Sequence, residues 1–344
     1  MKYINKNYVK KILVLKLRGM GDVILSTIIL ENLRIDFPDA RIDYLTEKPS
    51  KEALQDIPQI DNILLFDRKS TWERLKLFMR VRKEKYDLIL DLFSNPSTAQ
   101  LSFLSGARYR AGFPYKGRKY AYNIYGPVER DQHHSAELHL EFLRNIGLSY
   151  EKKVLHFGLN ETSLLRADEI LAKLRSKKEL LVCISPSGGW PSKKCDPSKF
   201  AEIATVIHQK YNASLFILWG PGDKAEAVEI KRLLGDLAEI APGTSIKVMG
   251  AILSKCDAVV ANDSGPMHIS TAVGTPTLSM HGPTNPKLQG PYGNLHEWVR
   301  NENLECIECN LLDCPKNHEC FLELSTDLVL SNFNHLLLKN NLIA

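Results

Sequence analysis

The densest group of chemically able residues in the sequence is Asn262-Asp263-Ser264-Gly265-Pro266-Met267-His268. The apolar run 257–261 before it reads as a buried strand, and Pro266 stands where a helix best begins. The first amides of such a helix lack intrahelical partners and carry the positive end of the peptide dipoles. A strand, a small-residue turn and a helix start therefore make a seat for an anion, with phosphate the expected guest. Asp263, Ser264, Gly265 and His268 are the residues expected at that seat. The plain alternative is a strand–helix joint capped by Asp263 or Ser264.

Three further turns share this small-residue character. Arg18-Gly19-Met20-Gly21-Asp22 follows an apolar strand that starts at Lys11. Open α/β sheets bind ligands at the carboxyl edge of their strands, and glycine lets a ligand approach the backbone. Asp22 reads as an acid that satisfies the helix dipole or as a general base. A dinucleotide fingerprint does not fit, because no third glycine follows Gly21. Ser185-Pro186-Ser187-Gly188-Gly189-Trp190-Pro191-Ser192-Lys193-Lys194 ends another strand. It reads as a wrap for a pyrophosphate leaving group or as a surface loop with solvated lysines. In Trp219-Gly220-Pro221-Gly222-Asp223, the last residue is either an acceptor for ribose hydroxyls or a helix cap. Residues 282–286 and 290–293 are turn-rich and suit a pocket rim.

Seven cysteines occur in a sequence whose first 11 residues are polar and basic, with Lys16 and Arg18 in the first apolar stretch. That start is not a secretory signal, so reduced thiols are expected. Cys306, Cys309, Cys314 and Cys320 are closely spaced, with His318 beside them. Four thiolates at this spacing suit a structural zinc, though not a paired zinc ribbon; free or redox-sensitive thiols are an equal reading, and disulfides a lesser one. Cys183 and Cys256 read as small buried apolar residues. His133-His134, with Glu137 and His139, is a metal site or, more simply, a solvated helix entrance.

The elements that must position these residues alternate between strand and helix. Strand patterns at 11–17, 41–45, 62–66, 87–92 and 107–112 are separated by helical patterns at 23–34 and 72–85, and a helix at 135–146 closes the half. Residues 148–161 lose the rhythm and read as a linker. It restarts with helix 162–175, strand 180–185, helix 198–211, strand 214–219 and helix 223–237. Such alternation implies parallel sheets with right-handed crossovers. The 344 residues suit two domains, and 44% apolar with 25% charged content is globular. No run is long enough to span a membrane. A net charge of +5 tolerates acidic substrates or anionic lipid headgroups and is too weak to argue for nucleic acid.

Lys16-Leu17-Arg18-Gly19-Met20-Gly21-Asp22, the loop 190–200, Asn262-Asp263-Ser264-Gly265-Pro266-Met267-His268 and His281-Gly282-Pro283-Thr284-Asn285-Pro286 occur in that order. Together they closely resemble glycosyltransferase family 9, the lipopolysaccharide heptosyltransferases that use ADP-heptose, over residues 11–325. The resemblance implies an α/β GT-B fold, two Rossmann-like domains facing each other across a cleft. Residues 1–155 would handle the acceptor and residues 156–325 the nucleotide sugar; the residue pattern itself adds a tail helix in 326–344, expected to pack back on the first domain. It implies transfer with inversion, needing no metal or other cofactor, onto a lipid-linked glycan acceptor in the cytoplasm, with peripheral contact at the inner membrane. Carried over, Asp22 is the base and Lys193 contacts the donor phosphate, with Ser187 on the same loop. Asp263 holds sugar hydroxyls, Ser264 and Gly265 hold phosphate, His268 lies on the same turn, and Asp223 is the ribose-side acid. Arg18, Gly19 and Gly21 form the acceptor-side loop. The chain departs from the family where an aromatic usually stands two positions after the lysine, here Cys195, which leaves Lys194 as the other phosphate contact. A sugar-nucleotide epimerase of GT-B type and a non-enzymatic zinc-bearing binding module are the alternatives.

Overall fold

The computed structural model describes residues 3–129, 131–175 and 180–343. The chain divides into two compact units, Met1–Gly158 and Leu159–Ala344. The first holds β1 (Lys11–Leu15), β2 (Arg41–Thr46), β3 (Asn62–Leu65), β4 (Leu88–Asp91), β5 (Tyr109–Gly112) and β6 (Ile124–Tyr125). All pair in parallel, in the order β3-β2-β1-β4-β5-β6. The second holds β7 (Leu181–Ser185), β8 (Ser214–Ile217), β9 (Ala238–Ile240), β10 (Ala258–Asn262), β11 (Thr277–His281) and β12 (Glu297–Arg300). These too are parallel, in the order β12-β11-β10-β7-β8-β9.

A parallel sheet is covered on both faces, so its strands are continuous apolar runs. β7, β8, β10 and β11 are buried at every position. Each strand order reverses once, between β1 and β4 in one sheet and between β7 and β10 in the other. Open sheets of this kind bind ligands at the carboxyl ends of the strands flanking such a switch point. The loop carrying Arg18 to Asp22 leaves β1, the loop with Ser187 and Lys193 leaves β7, and Asp263 follows β10 directly. Topology thus delivers the chemically able residues to the switch points.

The helix expected at 23–34 is longer and broken. It runs as Met20–Ser26, a tight turn Thr27–Ile29, and Leu30–Asp36. Ser26 Oγ and Thr27 Oγ1 donate back to the carbonyls of Val23 and Ile24 at 2.6 Å each, an alternative for the backbone that tightens the middle turn. β6 and β9 have two and three residues, too few to show a period in sequence.

Residues 148–158 form neither helix nor strand but are tied to the first unit. Asn32 accepts from the Lys152 amide and donates to its carbonyl, and the His156 amide donates to Thr27 Oγ1. The tail helix, Thr326–Lys339, buries Val329, Leu330, Phe333, Leu336 and Leu337. That face packs with Val260, Leu278 and Met280 in the core of the second unit, and Phe333 meets Tyr211 edge-on. The apolar stripe of this helix completes the second unit's core. No helix among the described residues is long and apolar enough to cross a membrane.

Candidate active site

In the first unit, β1 runs out into Lys16 and Leu17, and then Arg18 and Gly19 take left-handed φ values of 60° and 61°. This reversal starts the helix Met20–Ser26 with Gly19 at the N-cap. Gly21 and Asp22 therefore lie inside the first turn, where a carboxylate is favoured by the helix dipole. The φ of Gly19 favours glycine, and a Cβ there would stand 2.6 Å from Asp22 Oδ2 and push the carboxylate aside. Asp22 is 56% exposed, and its Oδ1 lies 3.5 Å from Nζ of Lys16, which is 5% exposed. The lysine ammonium also stands over the Phe93 ring. The result is an accessible carboxylate held from below by a buried cation.

In the second unit, Lys193 Nζ lies 2.6 Å from Asp263 Oδ2, with the two side chains 8% and 5% exposed. The Trp190 ring lies beneath the ammonium, 4.0 Å from its centroid. Asn262 stitches the two loops together: its Nδ2 donates to the Pro186 carbonyl, and its Oδ1 accepts from the Cys195 amide. Burial opposes ionisation of Asp263, yet its basic neighbours hold the carboxyl below its ordinary range. Among them Lys193 is in direct contact.

Ser264 is the extended N-cap of the helix Gly265–Ala272, and its side chain makes no capping bond. Its Oγ donates instead to the Asn262 carbonyl. The helix start is thus left to its backbone donors, with Gly265 at its first position and His268 buried one turn on. A buried ammonium, a carboxylate and a helix N-terminus side by side suit a ligand carrying both phosphate and hydroxyl groups.

The two lysines of this loop are not interchangeable. Lys194 Nζ is 3.0 Å from Asp223 Oδ1, 2.6 Å from Glu226 Oε1 and 2.9 Å from the Gly222 carbonyl. Burial would lower its pKa, but the two carboxylates raise it. Neither lysine is solvated in the manner of a plain surface loop. Asp223 is the N-cap of the helix Lys224–Leu234 but makes no side-chain capping bond, because its carboxylate faces Lys194. Ser187 is buried within the same loop.

The turn after β11, read from sequence as rim, lies deeper. Thr284 Oγ1 donates to Asp263 Oδ2 at 2.6 Å, and His281 is fully buried beside it. Burial pushes the His281 imidazole down to about 4, against the pull of Asp263 and helped by Lys193. Sequence reasoning missed these two partners. The available signal was a histidine ending a strand otherwise fit for a core, with a threonine three positions on.

The cysteine-bearing segment also gains a definite place. The Ser192 amide donates to the Leu312 carbonyl at 3.1 Å, and Ser192 Oγ donates to that of Leu311. The Glu308 and Asn310 amides donate to the carbonyls of Gly282 and Pro283 at 3.2 and 2.8 Å. This strap therefore fastens both the lysine loop and the turn that carries Thr284. All seven cysteines are free thiols. Cys183 and Cys256 are buried, as expected of small apolar residues. Burial and the neighbouring thiols push Cys320 up to about 12. Among the described residues, no group of three or more histidine, cysteine or acidic side chains is gathered to hold a metal. The zinc reading at Cys306, Cys309, Cys314 and Cys320 thus has no such group behind it, although the other three thiols lie near enough to act on Cys320. His318 approaches Asp196. His134 caps the helix Ser135–Asn145 by accepting from the Ala136 amide, which is the plain helix entrance.

Comparison with known proteins agrees with this arrangement. The chain is 26% identical over 299 residues to the lipopolysaccharide core heptosyltransferase OpsX of Haemophilus influenzae, covering 84% of each. The crystal structure of a family 9 glycosyltransferase from Veillonella parvula superposes with a TM-score of 0.86 at 23% identity, covering 98% of this chain and 99% of that one. The Escherichia coli ADP-heptose lps heptosyltransferase II gives a TM-score of 0.76 at 20% identity, covering 96% and 99%. These likenesses establish the fold as the GT-B class. The sequence model of glycosyltransferase family 9 (heptosyltransferase) matches residues 74–318, most of the chain and all of the second-unit site, and the chain belongs to that family of enzymes.

Proposed function

We propose that this glycosyltransferase moves heptose from ADP-heptose to a lipopolysaccharide-core or similar lipid-linked glycan acceptor, with inversion at the anomeric carbon. The observation that carries the reading is the buried Lys193–Asp263 pair beside the Ser264-Gly265 helix start, at the switch point of the second sheet. The family match and the names of the relatives supply the sugar and the acceptor class.

Glycosyl transfer develops positive charge on the sugar and negative charge on the departing phosphate. In this reading Lys193, the first amides of the helix Gly265–Ala272 and Ser264 take up the phosphate charge, with Ser187 and His268 lining the same seat. Asp263 orients sugar hydroxyls, and Asp223 serves the ribose side. Asp22 takes the proton from the acceptor hydroxyl as it attacks, and Arg18, Gly19 and Gly21 shape the approach. Lys16 keeps that carboxylate in place. Lys194, paired with two acids, holds the loop closed and is the weaker candidate for phosphate contact. No cofactor enters these steps. A cytoplasmic site of action with peripheral contact at the inner membrane follows from the acceptor class.

The test is transfer itself: ADP-heptose and a lipid-linked core acceptor, followed by mass analysis of the acceptor. Gain of one heptose supports the reading. Conversion of donor alone into an isomeric nucleotide sugar, without an acceptor product, would make the protein an epimerase instead.

A further inference from the structure

Behind Asp263 lies a line of fully buried polar side chains that none of these roles uses. Thr284 Oγ1 donates to Asp263 Oδ2 at 2.6 Å, Thr284 Oγ1 is 3.4 Å from His281 Nδ1, and His281 Nε2 is 2.8 Å from Ser279 Oγ. Ser279, His281 and Thr284 are all 0% exposed. A count of protons gives the line a direction. A hydroxyl has one proton to donate, and that of Thr284 goes to the carboxylate. The Thr284 oxygen must therefore accept from its other neighbour, which places the imidazole proton on Nδ1. Burial keeps His281 neutral above pH about 4, so it has a single N–H. Nε2 is then bare and accepts the proton of Ser279.

Every donor in the line points toward Asp263. Neutral dipoles aligned this way support an ionised carboxylate without placing a second full charge beside Lys193. They also engage one oxygen only: Oδ2 receives both Thr284 and Lys193.

We propose that Ser279, His281 and Thr284 are positioning residues, a one-way hydrogen-bond relay that fixes Asp263 through Oδ2 and leaves Oδ1 to the sugar of the donor. This rests on the reading that Asp263 holds sugar hydroxyls.

Titration calorimetry of the full chain with ADP and with ADP-heptose tests it, because the ratio of the two affinities isolates the sugar. Asp263→Ala should lower that ratio about tenfold or more. Thr284→Val should lower it about tenfold while leaving ADP affinity unchanged, and Thr284→Ser should restore it. A merely structural role would weaken ADP and ADP-heptose alike and be better preserved by valine, which keeps the shape, than by serine. That pattern overturns the relay. If Asp263→Ala keeps the ratio, the reading of Asp263 fails and the relay falls with it. If Asp263→Ala loses the ratio while Thr284→Val keeps it, only the relay falls. A second measurement needs no variant in the binding step. Nitrogen NMR of histidine-labelled protein, with His281 assigned by comparison with His281→Gln, should show the Nδ1–H tautomer. The Nε2–H tautomer would reverse the donors and overturn the relay.

Discussion

Lys193 and Asp263 form an ion pair at 2.6 Å with both side chains almost wholly out of water. Removing one member of such a pair leaves the other charge buried and alone, at a cost of about 3–5 kcal/mol. Lys193→Ala is therefore expected to lower the melting temperature and to weaken ADP binding. Lys194→Ala should change ADP affinity much less, because its ammonium already serves Asp223 and Glu226. Calorimetry on both variants checks this, and the reverse ranking would move the phosphate contact to Lys194.

Asp22→Asn keeps the size and the helix start but removes the base. Turnover should fall by about 10²–10⁴-fold with ADP-heptose affinity nearly intact. Gly19→Ala should behave similarly, since its methyl group would collide with the Asp22 carboxylate and its φ of 61° strains any residue with a Cβ. A steady-state assay separates turnover from affinity; high activity in Asp22→Asn would remove it from the chemistry.

Acid should loosen the second unit before it unfolds ordinary carboxylate pairs. Burial lowers both His281 and His296 from 6.5 to about 4. Between those values the unfolded chain binds more protons than the folded one, so stability is fully present above pH 6.5 and declines as pH falls toward 4. Each imidazole accounts for about 3 kcal/mol at most. Melting temperatures from pH 7 to 4.5 should fall steeply in the native protein and less so in His296→Gln.

Gly282 leaves no room for a methyl group, because Cys320 Sγ and the Phe321 ring occupy that space. Gly282→Ala should cost about 1–3 kcal/mol by overpacking. It should also weaken ADP binding, since the strap bonded to Gly282 also holds the loop that carries Lys193. Thermal melts and calorimetry give both numbers; lost stability with unchanged ADP affinity would uncouple the strap from the site.

Much of this was legible in the residues. Alternation of strand and helix, with Gly19 and the Asn262-Asp263-Ser264-Gly265-Pro266 turn at strand ends, gave the fold class and the loops that leave β1, β7 and β10. Lys194 was ambiguous because two adjacent lysines look alike until tertiary structure pairs them with different acids. His281 and Thr284 hid in a turn whose glycine and prolines mimic an ordinary rim. The tail helix showed its apolar stripe but not the surface that accepts it, since periodicity names a face and not a partner.

The strap between Leu304 and Leu312 touches the donor loops through its backbone, and its Glu308 carboxylate also accepts from Asn285 Nδ2 in the turn after β11. Coupling of this kind is reciprocal: whatever the strap adds to nucleotide affinity, nucleotide returns to the strap in equal measure. Cys309, exposed within that strap, thereby becomes a built-in reporter. Its rate of alkylation should slow as nucleotide fills the loops and quicken as it leaves, giving a chemical readout of occupancy from a thiol that touches no substrate.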